Sequence, residues 1–143
     1  MKTKRLLWIL CLAMGAMFFG CDVGPEPIAF GNDSCAFCKM TIVDPKFGAE
    51  LITDKGRILK YDAAECLVDH LEQDAPAYRQ LLAVAYDQPG HLHPVDSLAF
   101  VVSPDYRSPM GANLAGVKEP GSLRSAHDPL LSWQEVRNQL AAH

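Results

Sequence analysis

Positive charge is scarce once the first twenty residues are set aside. From residue 21 onward, ten lysines and arginines face seventeen aspartates and glutamates, a net charge of −7. A nucleic-acid surface needs clustered cations to displace phosphate counterions, so nucleic acid is a poor match as partner. A small cation is weakly attracted instead. A membrane-crossing helix needs roughly 20 consecutive apolar residues; the longest uncharged apolar run, residues 6–20, has 15. The glycine- and proline-bearing stretch 24–31 lacks the lysine of a phosphate-binding loop, and no Ser-His-Asp arrangement stands out. Low-complexity sequence is absent from the body of the chain, and 143 residues suit one domain with a modest core.

The N-terminus is a case of its own. Lys2, Lys4 and Arg5 precede the apolar run, the pattern of a secretory signal. Cys21 follows Gly20 directly at the end of that run. This resembles a bacterial lipoprotein signal, which implies a signal peptide over 1–20 and acylation of Cys21. Several acyl chains anchor a protein firmly where one binds marginally. Asp22 resembles an inner-membrane retention signal of enteric bacteria. The expected location is therefore the periplasmic face of a bacterial inner membrane, reached by a lipid anchor. The alternative is a signal cleaved elsewhere or an uncleaved anchor.

Residues 22–33 are rich in Pro, Gly and Asp and predict a flexible tether over 21–33. The functional domain is then 34–143. Residues 48–53 and 56–61 alternate as two strands joined near Asp54-Lys55-Gly56. Residues 62–73 predict a helix, with Asp62 as cap and Glu65 in the capping-box position. Residues 81–87 and 96–103 predict strands separated by a loop that carries His91 and His93. Residues 106–116 are turn-rich and then extended. The chain closes in a helix over 132–143, capped by Ser132 with Glu135 three residues on. The fold class expected is α+β, with small mixed or antiparallel sheets and helices. The element order hints at two related ββα-type halves.

Sulfur dominates one short stretch, Cys35-Ala36-Phe37-Cys38-Lys39-Met40. With Cys11 in the signal and Cys21 acylated, Cys35, Cys38 and Cys66 remain. An exported chain meets an oxidising compartment, so a Cys35–Cys38 disulfide in a plain interaction lipoprotein is one reading. A thiol-disulfide oxidoreductase using the same pair is another. That chemistry uses a CxxC at a helix N-terminus, however, and here β-branched residues and Pro45 follow. Haem attachment uses CxxCH, and Lys39 stands in place of the histidine. Structural zinc uses a second ligand pair. Only Cys66 and His70, at i and i+4 on the predicted helix, offer one, and both also fit an ordinary helix margin.

The methionines point to a softer metal. After the signal only Met40 and Met110 remain, and both stand in loop-like settings rather than in a helical apolar stripe. A neutral thioether suits Cu(I) and is a poor ligand for hard cations.

With Cys21, these stretches, Thr41-Ile42-Val43-Asp44, Phe47-Gly48-Ala49-Glu50-Leu51, Tyr61-Asp62-Ala63-Ala64-Glu65-Cys66 and Ser108-Pro109-Met110-Gly111, the chain resembles the NosL family of copper-binding lipoproteins. The family motif usually carries glycine where this chain has Lys39. The resemblance implies a small α+β protein that holds one Cu(I) at the periplasmic membrane face. It implies delivery to nitrous oxide reductase, helped by a membrane transporter complex, with no enzymatic activity of its own. The expected ligands, in order, are Cys38 with Met40 and Met110, then Cys35, then His70 and Cys66.

Overall fold

A computed structural model describes residues 23–122 and 128–142. Cys11, Cys21 and the rest of the signal-like segment lie outside the described residues. β1 (Ala49–Thr53) and β2 (Ile58–Tyr61) form the expected antiparallel hairpin, in register from Ala49 with Tyr61 to Ile52 with Ile58. β1 pairs on its other side with β3 (Tyr78–Ala85), also antiparallel. β3 in turn pairs antiparallel with β4 (Gln88–Pro94) and parallel with β6 (Leu114–Val117), where Ala85 faces Gly116. β5 (Ala99–Val102) completes the sheet beside β6. The order is β2-β1-β3-β6-β5, with β4 bonded to β3 off that line. The five residues Leu81–Ala85 are all buried, as a strand covered on both faces must be.

Helix α1 (Ala64–Asp74) follows β2, and helix α2 (Trp133–Ala141) ends the domain. The protein is therefore α+β, one mixed six-stranded sheet with two helices. The order strand-strand-helix occurs twice, as β1-β2-α1 and β5-β6-α2, and both runs share the one sheet through β3. Leu67 and Leu71 of α1 and Trp133 and Val136 of α2 join Leu51, Phe100 and Leu114 in the core. Arg137 reaches Glu72 at 2.6 Å and ties the helices at their outer edge. Among the described residues no helix is long and apolar enough to cross a membrane.

Three expectations change. The loop expected around His91 and His93 is strand β4. Its prolines stand near the strand ends, and Gly90 takes a φ of +79° at a register shift, so the strand accommodates residues that interrupt a regular one. Asp62 does not cap α1: the N-cap is Ala63, without a side-chain hydrogen bond. By contrast, Ser132 and Glu135 form the full capping box on α2. Finally, the stretch expected to be a tether lies against the domain from Val23 onward. The Arg79 guanidinium donates to the Val23 carbonyl, Lys60 Nζ binds the Pro27 carbonyl at 3.0 Å and Asp33 at 2.8 Å, and Ile28 is buried in the core. Gly48 makes room for it, since a Cβ there would meet Ile28 Cδ1 at 2.6 Å. Proline and glycine reveal only that the segment forms no regular element; Ile28 and Phe30 hold it down.

Candidate metal centre

The Cys35–Met40 stretch is a closed loop stitched to β2. Ser34 and Thr41 form an antiparallel bridge across its base. Inside it, the Cys35 N–H donates to the Met40 carbonyl at 2.8 Å and the Lys39 N–H to the Cys35 carbonyl at 3.2 Å. The Ala36 N–H donates to the Lys60 carbonyl at 2.7 Å, which fixes the loop beside the end of β2. Lys39 closes the turn at a φ of +65°, a left-handed conformation that glycine adopts more readily.

Closing that loop beneath the start of α1 brings its two sulfurs to the distant sulfur of Cys66. The Sγ atoms of Cys35, Cys38 and Cys66 all lie within 4.8 Å of one another. Cys35 and Cys66 are buried, 1% and 0% exposed, while Cys38 sits at the surface edge. None of the three is in a disulfide. The Cys66 thiol donates to Cys35, and the N–H groups of Asp62, Cys38 and Phe37 converge on the same sulfur; against the effect of burial, they hold Cys35 well below an ordinary thiol. The same hydrogen bond, with burial, pushes Cys66 up, and burial is the largest influence raising Cys38. The trio thus favours a single negative charge seated on Cys35, with two thiols beside it.

The first turn of α1 serves this arrangement at the expense of its own cap. Asp62 spends its N–H on Cys35 and its carboxylate on the Val43 N–H. Burial first, then the Cys35 charge, raises Asp62 above the usual carboxylate range. Glu65 also turns inward, where its carboxylate accepts the Ser108 hydroxyl.

No protein-family model matches this sequence, and none of the curated proteins matches it. Among solved structures, the crystal structure of the copper chaperone NosL from Shewanella denitrificans aligns with a TM-score of 0.67 at 16% identity, covering 79% of this chain and 95% of that one. The chain has a NosL-like fold.

In this NosL-like fold the expected site residues occupy three settings. Cys35, Cys38 and Cys66 are clustered, and Cys66 brings the α1 sulfur to the two of the loop. Met40 and Met110 lie at the surface, 56% and 39% exposed. His70 stands one helical turn beyond Cys66 with both ring nitrogens engaged: Nδ1 lies 2.8 Å from the Tyr61 hydroxyl and Nε2 lies 3.3 Å from Asp74. Its ring also faces Phe37 of the loop, at 6.0 Å between centroids. An open cleft of about 450 Å³ flanks the loop, with Ala36, Lys39, Arg57 and His70 in its walls. Sequence reasoning did not find the Asp62 N–H as a partner of Cys35, nor the Glu65–Ser108 contact. The adjacency of Asp62 and Glu65 to Cys66 in one short motif was the available signal.

Proposed function

We propose that this protein is a Cu(I)-binding carrier, held at the periplasmic face of a bacterial inner membrane by lipid on Cys21, that delivers copper to an exported copper enzyme. Nitrous oxide reductase is the proposed recipient, with a membrane transporter complex assisting. The observation that carries the copper reading is the convergence of Cys35, Cys38 and Cys66 within 4.8 Å. Three sulfurs at that spacing form a soft donor set, which suits Cu(I). Structural zinc asks for a fourth strong ligand, and the nearby His70 has both nitrogens committed elsewhere. The NosL-like fold, seen in a protein described as a copper chaperone, supports the same reading.

A carrier must release its cargo. Cys38 lies at the surface edge of the trio, and the exposed thioethers of Met40 and Met110 are neutral and exchange readily. Stepwise exchange through these ligands passes Cu(I) to a recipient without any general acid or base. A thiol oxidoreductase would present a reactive sulfur to a substrate disulfide; Cys35 and Cys66 are 1% and 0% exposed, which favours a binding role. Lipid anchoring raises the effective concentration of the carrier where exported acceptors mature.

The test is a Cu(I) titration of the reduced protein against a chromophoric chelator. One equivalent is expected to bind, with binding abolished in the triple variant Cys35→Ala/Cys38→Ala/Cys66→Ala and weakened in Met110→Ala. Binding by the triple variant equal to that of the wild type ends the copper reading. Disulfide exchange that depends on Cys35 and Cys38, with no Cu(I) uptake, would establish the oxidoreductase instead.

A further inference from the structure

Glu65 turns its carboxylate into the protein at the start of a helix, rather than out to solvent. An acidic residue in a first turn is stabilising when it points at the free N–H groups and remains hydrated. Glu65 is instead buried, and its Oε1 accepts the hydroxyl of Ser108, 43 residues further along and itself buried. The N–H groups of Leu114 and of Glu65 itself also point at this carboxylate. Burying a carboxylate is costly unless it is paired, and two of its partners, Ser108 and the Leu114 N–H, come from the β5–β6 connection and the strand after it rather than from α1.

Glu65 thus grips a segment outside α1. Residues 103–113 connect β5 to β6. Tyr106 fixes the near side of this connection, buried edge-on to Tyr86 at 4.8 Å between ring centroids. Ser108 is the last buried residue before the tip. Beyond it the chain turns back, with the Gly111 N–H donating to the Ser108 carbonyl at 3.0 Å, and Met110 lies within that turn. Gly111 and Asn113 both take positive φ, which makes the return tight. Two residues span at most about 7 Å of backbone, so fixing Ser108 confines Met110 to the vicinity of that anchor. The anchor is the residue directly before Cys66, a member of the sulfur trio.

We propose that Glu65 and Ser108 are positioning residues: their buried hydrogen bond registers the Met110 thioether against the cysteine trio. This rests on Met110 being a copper ligand, as argued above. The hydrogen bond then governs what Met110 contributes to Cu(I) binding, while the thiols bind independently of it.

A double-mutant cycle tests this. Cu(I) affinity is measured by chelator competition for the full chain and for Met110→Ala, Ser108→Ala and the double variant. Met110→Ala is expected to weaken binding about tenfold in the native background and less than about twofold with Ser108→Ala, a coupling within the range of contacting residues. Ser108→Thr, which keeps the hydroxyl, restores the full Met110 effect. The ultraviolet Cu(I)–thiolate absorption persists in all variants, because the cysteines are untouched. Equal Met110→Ala effects in both backgrounds overturn the positioning role and leave Met110 a ligand. No Met110→Ala effect in the native background overturns the ligand assignment itself. Should Ser108→Ala fail to fold, the same cycle uses Glu65→Gln, which keeps an acceptor and should keep the coupling, and Glu65→Met, which should abolish it.

Discussion

The Tyr61 hydroxyl lies 2.8 Å from Nδ1 of His70, and the opposite ring nitrogen faces the Asp74 carboxylate. A carboxylate accepts, so in the neutral ring Nε2 carries the proton and Nδ1 accepts from tyrosine. Tyr61 is fully buried, and burial first, then the negative charge at Cys35, raises its hydroxyl well above the ordinary tyrosine range, so it stays protonated and able to donate. His70 is thereby fixed between Tyr61 and Asp74, with its ring facing Phe37 of the loop. Tyr61→Phe keeps the buried ring and removes only the donor. It is expected to cost about 1 kcal/mol of stability, the usual net worth of one hydrogen bond, and to leave Cu(I) affinity within about threefold of wild type. Chemical denaturation and chelator competition check both numbers. A loss of affinity far beyond threefold would bring His70 into the ligand set.

The trio makes a sharper demand. Cys66 is fully buried on a helix and would pass for a small core residue, yet its sulfur completes the group. Cys66→Ala is expected to weaken Cu(I) binding about a hundredfold, near 3 kcal/mol. Cys35→Ala is expected to cost at least as much, because it removes a buried sulfur on which the Asp62, Cys38 and Phe37 N–H groups converge. Competition titrations with both single variants decide this. If Cys66→Ala binds copper like the wild type, the metal is held by the loop and the methionines, and the buried thiol is packing.

The parts of the fold that the sequence revealed were those governed by neighbours in the chain. Alternation and a Gly-bearing turn marked the β1–β2 hairpin, and Ser132 with Glu135 marked the start of α2. The same cap pattern at Asp62 and Glu65 misled, because a helix start and an inward-facing motif look alike when written as residues three apart. What decided between them was tertiary: Cys35 needs the Asp62 N–H, and Ser108 holds the Glu65 carboxylate. The Cys35–Cys38 half of the site was legible from its spacing. Its third sulfur was visible only as an i, i+4 relation to His70, because the contact with Cys35 spans 31 residues and exists only after β1 and β2 fold back. β4 was hidden by its prolines and glycine, and the docked segment 23–33 by a composition that usually marks a linker.

Glu50 connects that docked segment to pH. It is fully buried on β1 and accepts the Glu26 N–H at 3.2 Å through Oε1, while Oε2 has no hydrogen-bond partner among the described residues. Burial pushes its carboxyl up to about 7, against the opposing pull of the Glu26 N–H and the Lys60 charge. A folded-state value above the unfolded one means that the folded chain binds more protons between the two. Stability therefore falls as pH rises from about 4.5 toward 7, by on the order of 2–3 kcal/mol from this group. Glu50→Gln should remove that slope and raise the melting temperature at pH 8 more than at pH 4.5. Thermal melts of both proteins across that range test it. Parallel curves would mean that Glu50 is ionised with equal ease in both states.

Lys39 offers a test of the loop geometry on which the trio depends. A non-glycine residue in the left-handed region costs roughly 1–2 kcal/mol, which glycine avoids in the folded state at some cost in unfolded-chain entropy. The lysine recovers part of this through Nζ, which donates to the Ala36 carbonyl inside the same loop. Lys39→Ala keeps the strain and loses that bond, whereas Lys39→Gly loses the bond and the strain together. The glycine variant should therefore be more stable than the alanine variant by about 1 kcal/mol. Both remove the ammonium and its bond to Ala36, so a difference between them in Cu(I) affinity reports the backbone alone. If alanine proves as stable as glycine, the backbone at residue 39 is not left-handed in solution. The turn that brings Cys38 back toward Cys35 must then close in another way.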